Sequence, residues 1–126
     1  MTTLLAGDSI ADGLSAFIPG CVVNARKGLP SGDIIDCVKD ADVVILSAGS
    51  NDPHNPRLVE NLKAMRSKVK GRVIWIVPTN HTAAAAVNRI AMMNRDKAIP
   101  FVPGSDRVHP ASYQSLAASV RSYMKN

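Results

Sequence analysis

Two hydrophobic patterns alternate along this chain. Short runs rich in apolar and β-branched residues recur at Thr3–Ala6, Cys21–Ala25, Asp42–Ala48, Arg72–Pro78 and Pro100–Val102, each of strand length. Val43-Val44-Ile45-Leu46 and Val73-Ile74-Trp75-Ile76-Val77 are apolar without alternation, as in strands covered on both faces. The segments between them carry helical spacing. Leu58, Leu62, Met65 and Val69 stand at i, i+4, i+7 and i+11, one stripe of a helix that Pro56 opens at its first turn. Ser31 is placed to cap a short helix carrying Ile34, Ile35 and Val38, and Ala83–Met93 is helix-forming by composition. Pro110 opens a last helix with Tyr113, Leu116, Val120 and Met124 on its inner face. Strands and helices in alternation predict an α/β fold in which a five-stranded parallel sheet is covered by helices on both faces.

A sheet of this kind binds ligands beyond the carboxyl ends of its strands. The polar residues collect where that rule needs them. Gly7-Asp8-Ser9 follows the first run, Arg26-Lys27-Gly28 the second and Gly49-Ser50-Asn51-Asp52 the third. Thr79-Asn80-His81 follows the fourth, and Gly104-Ser105-Asp106-Arg107-Val108-His109 the fifth. All three histidines of the chain lie in these loops.

Composition narrows the class further. With 126 residues, 46% of them hydrophobic and 20% charged, the chain has the size and makeup of one folded domain, 1–126, without a disordered tail. No apolar run reaches membrane-spanning length, and the amino terminus has no basic segment ahead of its short apolar stretch. A location in the cytoplasm, or in a released or virion-associated form, is expected. Cys21 and Cys37 match no metal-site spacing and read as reduced, small apolar residues. The net charge of +5 is spread along the chain, and its densest cluster, Lys68-Val69-Lys70-Gly71-Arg72, falls at a helix end whose dipole it complements. Neither a nucleic-acid nor a membrane partner is expected. No Gly-x-x-x-x-Gly-Lys-Ser/Thr or Gly-x-Gly-x-x-Gly phosphate cradle occurs.

The loop residues do fit acyl chemistry, which needs a nucleophile, a base and donors for a developing oxyanion. Ser9 stands where a strand meets a helix. His109 is the best candidate base, because Asp106 three residues earlier can hold its imidazole in one tautomer. Asn51 can donate from its side chain, while Gly28 or Gly32 can offer a backbone N–H. Ser31, as a cap for the helix that follows, favours Gly28. Asp8, Arg26, Lys27 and Arg107 are the candidate substrate contacts. His54 and His81 lack such partners and read as loop polars or substrate-edge residues.

In this order the blocks resemble those of the SGNH hydrolases, also called GDSL esterases. Gly7-Asp8-Ser9-Ile10 is similar to the first block, Gly28-Leu29-Pro30-Ser31 to the second, Gly49-Ser50-Asn51-Asp52 to the third and Asp106-Arg107-Val108-His109-Pro110 to the last. The resemblance implies a three-layer α/β/α sandwich with strand order 2-1-3-4-5. It implies Ser9 as nucleophile, His109 as base and Asp106 as orienter, with Ser9, Gly28 and Asn51 forming the oxyanion hole. It implies hydrolysis of esters through an acyl-enzyme, with no cofactor and no metal. Compact chains of this kind occur among phage and bacterial enzymes acting on surface glycans.

The chain is short for that family and has no segment long enough to be a lid. A shallow groove is therefore expected, suited to a small acyl group, acetyl first, on a large polar carrier such as a carbohydrate. Only 4% of residues are aromatic, which does not suit a long-chain lipase channel. Arg26, Lys27, Arg57 and Arg107 along the same edge point to an anionic carrier such as an acidic polysaccharide. The alternative on the same fold is an inactive glycan-binding or structural module. Nothing in the sequence sets the oligomeric state.

Overall fold

The structure, a computed structural model, describes residues 1–125. Its strands are β1 (Thr3–Gly7), β2 (Val22–Ala25), β3 (Val43–Ser47), β4 (Arg72–Ile76) and β5 (Lys97–Ile99). The helices are α1 (Ser9–Leu14), α2 (Ser31–Ile34), α3 (Leu58–Ser67), α4 (His81–Met93) and α5 (Tyr113–Met124), and 3₁₀ turns extend α1 and α2. The strands form one parallel sheet in the order β2-β1-β3-β4-β5, which is the expected order.

The uninterrupted apolar runs are explained by a core on each face of the sheet. Leu4, Ala6, Val44, Leu46, Val73 and Trp75 pack against α2, α3 and α4. Leu5, Val43, Ile45, Ile74 and Ile76, the intervening residues, pack against α1 and α5. Neighbouring side chains along a strand point to opposite faces, so a sheet covered on both sides needs every position apolar. The predicted stripe Leu58, Leu62, Met65 and Val69 is buried throughout.

Four element boundaries differ from expectation, the first being α3, which begins at Leu58 and not at Pro56. The fifth strand lies three residues earlier than the run Pro100–Val102. Arg95, at φ 56°, turns the chain out of α4. Asp96 then accepts hydrogen bonds from Arg66 (Nε, 2.8 Å) and from the buried Trp75 indole (3.0 Å), which pins the start of β5. Pro100 follows at once and has no N–H to extend the ladder. The last helix begins at Tyr113, because Ser112 and not Pro110 caps it, accepting from the Ser115 N–H at 3.0 Å. At α2 the capping position is held by Pro30, and Ser31 is the first helical residue. Among the described residues no helix is long and apolar enough to cross a membrane.

The tip of β1 positions the site. Gly7 adopts φ 141°, and a Cβ there would lie 2.0 Å from the Ser47 carbonyl oxygen. Only glycine lets β1 end this close to β3. Asp8 N–H then donates to Ser47 O at 3.2 Å, and Arg26 N–H to Gly7 O at 3.1 Å. The loops after β1, β2 and β3 are thereby held side by side.

Candidate active site

Ser9 is the first residue of α1, and Asp8 before it caps the helix through a 3.1 Å bond from the Ile10 N–H to Oδ1. His109 stands on the loop after β5, which closes on itself. Gly104 N–H donates to His109 O at 2.8 Å, and Pro103 pairs with Pro110 across an isolated antiparallel bridge. Arg107 takes φ 62° to complete that turn, and its carbonyl accepts from Thr79 Oγ1 at 2.5 Å. These contacts bring His109 Nε2 to 2.8 Å from Ser9 Oγ.

The other ring nitrogen, Nδ1, lies 2.6 Å from Asp106 Oδ2. A carboxylate accepts and cannot donate, so Nδ1 carries the proton and Nε2 is left to accept from the Ser9 hydroxyl. Asp106 is itself held by the N–H groups of Val108 and His109, both 2.9 Å from Oδ1. Those two backbone bonds, and then the His109 side chain, lower the Asp106 carboxyl to about 2. It therefore stays ionised through the neutral and mildly acidic range. The side chains of His109 and Asp106 are 41% and 53% exposed. At that exposure water screens the charges, and hydrogen-bond geometry orients the ring more than Coulomb attraction does.

Ser9 and His109 open into a groove of about 620 Å³ whose walls include Gly28, Asn51 and Lys27. Gly28 has φ 81° and open space where a Cβ would be, so its backbone faces the groove unscreened. Gly32 lies inside α2 and does not line the groove. Gly28 is thus the better placed of the two candidate glycines, although the expected reason, a Ser31 cap, is incorrect. The Ser31 hydroxyl instead donates to Asp52 Oδ2 at 2.6 Å, and its N–H to Oδ1 at 3.0 Å. Asn55 and Asn61 join the same network, through Asp52 Oδ2 at 2.9 Å and Ser31 Oγ at 2.9 Å. Asn51, which lines the groove, donates one amide hydrogen to Leu29 O at 3.0 Å, and its amide has a second hydrogen to donate. The loops after β2 and β3 are thus cross-tied, a network the linear spacing gave no sign of.

One expected substrate contact needs correction. Asp8 is fully buried and has no surface to offer a substrate; its carboxylate belongs to the floor beneath Ser9. Of the four cations only Lys27 lines the groove, and Asp12 lines it too. Arg26, Arg57 and Arg107 do not, so the groove wall itself is mixed in charge. His54 and His81 are exposed and also lie outside the groove. Three wall residues were missed from sequence: Asp12, Gly13 and Tyr113. The first two stand three and four residues after Ser9, one helical turn along the same face, a spacing that could have flagged them.

Asp8 carries a pH signature. Burial raises its carboxyl to about 6, against the opposing bonds from Ser47 Oγ and from backbone N–H groups. Ser47 Oγ donates to Oδ1 at 2.8 Å, whereas Oδ2 is buried without a partner. An acid whose proton is held more tightly when folded than when unfolded stabilises the fold least once ionised. Stability from this group is greatest below about pH 4 and declines as pH rises to about 6, by about 3 kcal/mol in all. Asp8→Asn is expected to abolish that decline. Urea unfolding of both proteins across this range measures it, and the depressed carboxyls of Asp106 and Asp42 cancel in the difference. Parallel curves for the two proteins would rule the account out.

No protein-family model matches the chain, and no curated protein sequence does. Among solved structures it is similar to the C-terminal catalytic domain of Streptococcus pneumoniae peptidoglycan O-acetyltransferase A (OatA), solved with a methylsulfonyl adduct. The TM-score is 0.68 at 16% sequence identity, with 98% of this chain and 92% of that one covered. The chain therefore shares with that catalytic domain the three-layer α/β/α fold that the SGNH resemblance implies.

Proposed function

We propose that this chain is a serine-dependent esterase that removes a small acyl group, acetyl first, from a carbohydrate hydroxyl. The observation that carries the reading is the unbroken relay from Ser9 Oγ through the His109 ring to Asp106, at 2.8 and 2.6 Å. Ser9 Oγ attacks the ester carbonyl carbon as its proton passes to His109 Nε2. The carbonyl oxygen takes up negative charge and is received by the N–H groups of Ser9 and Gly28 and by the Asn51 amide. Collapse breaks the bond to the alcohol, which leaves with the proton from His109. Water then gives its proton to His109 and attacks the acyl-Ser9 carbonyl, releasing the acid and restoring the serine hydroxyl.

The small-acyl reading is supported by the open groove, over which no lid lies among the described residues. Turnover of p-nitrophenyl acetate is expected to exceed that of the butyrate by about tenfold or more, and octanoate is expected to be near background. Equal rates along the series would overturn the small-acyl reading. Ser9 is also expected to take up a fluorophosphonate probe. A folded chain that neither turns over acetate nor labels would support the binding-module alternative.

A second reading has one observation in its favour, the similarity to a domain named as an O-acetyltransferase. In it a sugar hydroxyl replaces water in the second step, and His109 takes that hydroxyl's proton. Adding methyl glucoside to the acetate assay separates the two. Acetylated glucoside at the expense of free acetate marks transfer, and acetate alone marks hydrolysis.

A further inference from the structure

We propose that the ring of Tyr113 is the platform on which the alcohol part of the ester, a sugar ring, rests during the reaction. This role presupposes the acyl-enzyme chemistry proposed for Ser9. The reaction itself divides the groove into two sides. The carbonyl oxygen must turn toward Gly28 and Asn51, while the leaving oxygen must reach His109 Nε2 to be protonated. The alcohol therefore lies along the wall that carries His109. Tyr113, four residues further on at the start of α5, lies on that same stretch of chain and brings the one phenyl-type ring among the described groove-wall residues.

The ring is held in place by an absence. A Cβ on Gly13 would fall 2.4 Å from Tyr113 Cζ and 2.5 Å from Cε1, so the ring occupies the space that any side chain at position 13 would fill. Gly13 is one helical turn beyond Ser9, and the ring is thereby referenced to the same helix as the nucleophile. Half-buried, and close to the acids Asp8, Asp106 and Asp12, the phenol is pushed above its ordinary range and stays neutral. Asp12 and Lys27 share the groove with it. A flat apolar face with an acceptor and a donor nearby matches the chemistry of a sugar, whose C–H face is apolar and whose hydroxyls project from its rim. A simple alkyl alcohol would use none of these groups.

The test compares two acetate esters, fully acetylated methyl glucoside and ethyl acetate, and reads the ratio of their kcat/KM values. Tyr113→Ala is expected to lower that ratio about tenfold or more, chiefly through KM for the glucoside, and Tyr113→Phe to keep it within about twofold. Gly13→Ala is expected to lower the ratio by a similar factor in the native background and to have no further effect beside Tyr113→Ala. Thermal melts followed by Trp75 fluorescence establish that each variant is folded. Parallel loss on both esters in Tyr113→Ala would make the tyrosine a packing residue and overturn the proposal, as would equal effects of Gly13→Ala in both backgrounds. A loss in Tyr113→Phe as large as in Tyr113→Ala would transfer the role from the ring to the hydroxyl and overturn it too. A native chain that turns over p-nitrophenyl acetate but not the glucoside ester overturns the platform alone, and one that cleaves no ester and takes up no fluorophosphonate overturns the esterase reading with it.

Discussion

Ser9→Ala is expected to lower kcat for p-nitrophenyl acetate by about 10⁴-fold or more while leaving the melting temperature within a few degrees of the native chain. The size follows from what the hydroxyl does. In the proposed reaction it supplies the attacking oxygen, and no other nucleophile lies 2.8 Å from His109 Nε2 among the described residues. Stability should change little, because the hydroxyl faces the groove while the helix is capped by Asp8. His109→Ala is expected to cost about as much, since an unassisted serine hydroxyl is a poor nucleophile at neutral pH. The double variant should be no worse than either single one, because the proposed mechanism has the two groups act in one step. Steady-state rates of the three variants, with pre-steady-state bursts on the native chain, check this. Losses that multiply in the double variant would mean that Ser9 and His109 act independently, and the relay would not be the catalytic unit.

Asn51→Ala is expected to lower kcat by about 10²–10³-fold with little change in KM, the range typical of removing one oxyanion donor. In the proposed oxyanion hole the donor acts on charge present in the transition state and nearly absent from the bound ester, so the loss should fall on kcat. Asn51 also makes a structural contact that predicts a different signature. Its bond to Leu29 O joins the loops after β2 and β3, and a purely structural role would lower the melting temperature and raise KM together. The Asp52–Ser31–Asn61 network ties the same loops independently, so Asn51→Ala should stay folded. A variant with near-native kcat and a raised KM would remove Asn51 from the oxyanion hole.

Some features of the site were legible residue by residue. Asp106 and His109 share one turn, and the two N–H bonds to Asp106 Oδ1 span only two and three residues. A motif that short carries its own geometry. The same holds for Asp8 capping α1 and for Gly7, whose place at the end of a strand already indicates a tight turn. Tyr113 was legible in position but not in role. The spacing that puts it on the inner face of α5 is the spacing of an ordinary core residue, and only the bare surface of Gly13 on a different helix turns its ring into a groove wall. Ser31 misled for a related reason. As a local signal it reads as a helix cap, yet a carboxylate 21 residues away competes for its hydroxyl and its N–H, and wins.

The linear chain by itself determined the alternation of strands and helices, the two-sided burial of the central strands and the five loops that carry the polar groups. Burial periodicity, helix caps and tight turns depend on residues a few positions apart, and so they can be read without knowing the fold. Tertiary structure decided that Ser9 meets His109, one hundred residues later, that Asp8 lies under the site and not in it, and which cation faces the groove. It also moved the fifth strand, because Asp96 is claimed by Arg66 and Trp75 from two other elements. Each of these outcomes depends on which loops the strand order brings together and how deeply the helices pack on the sheet. Those are properties of contacts between distant segments, and no local spacing contains them.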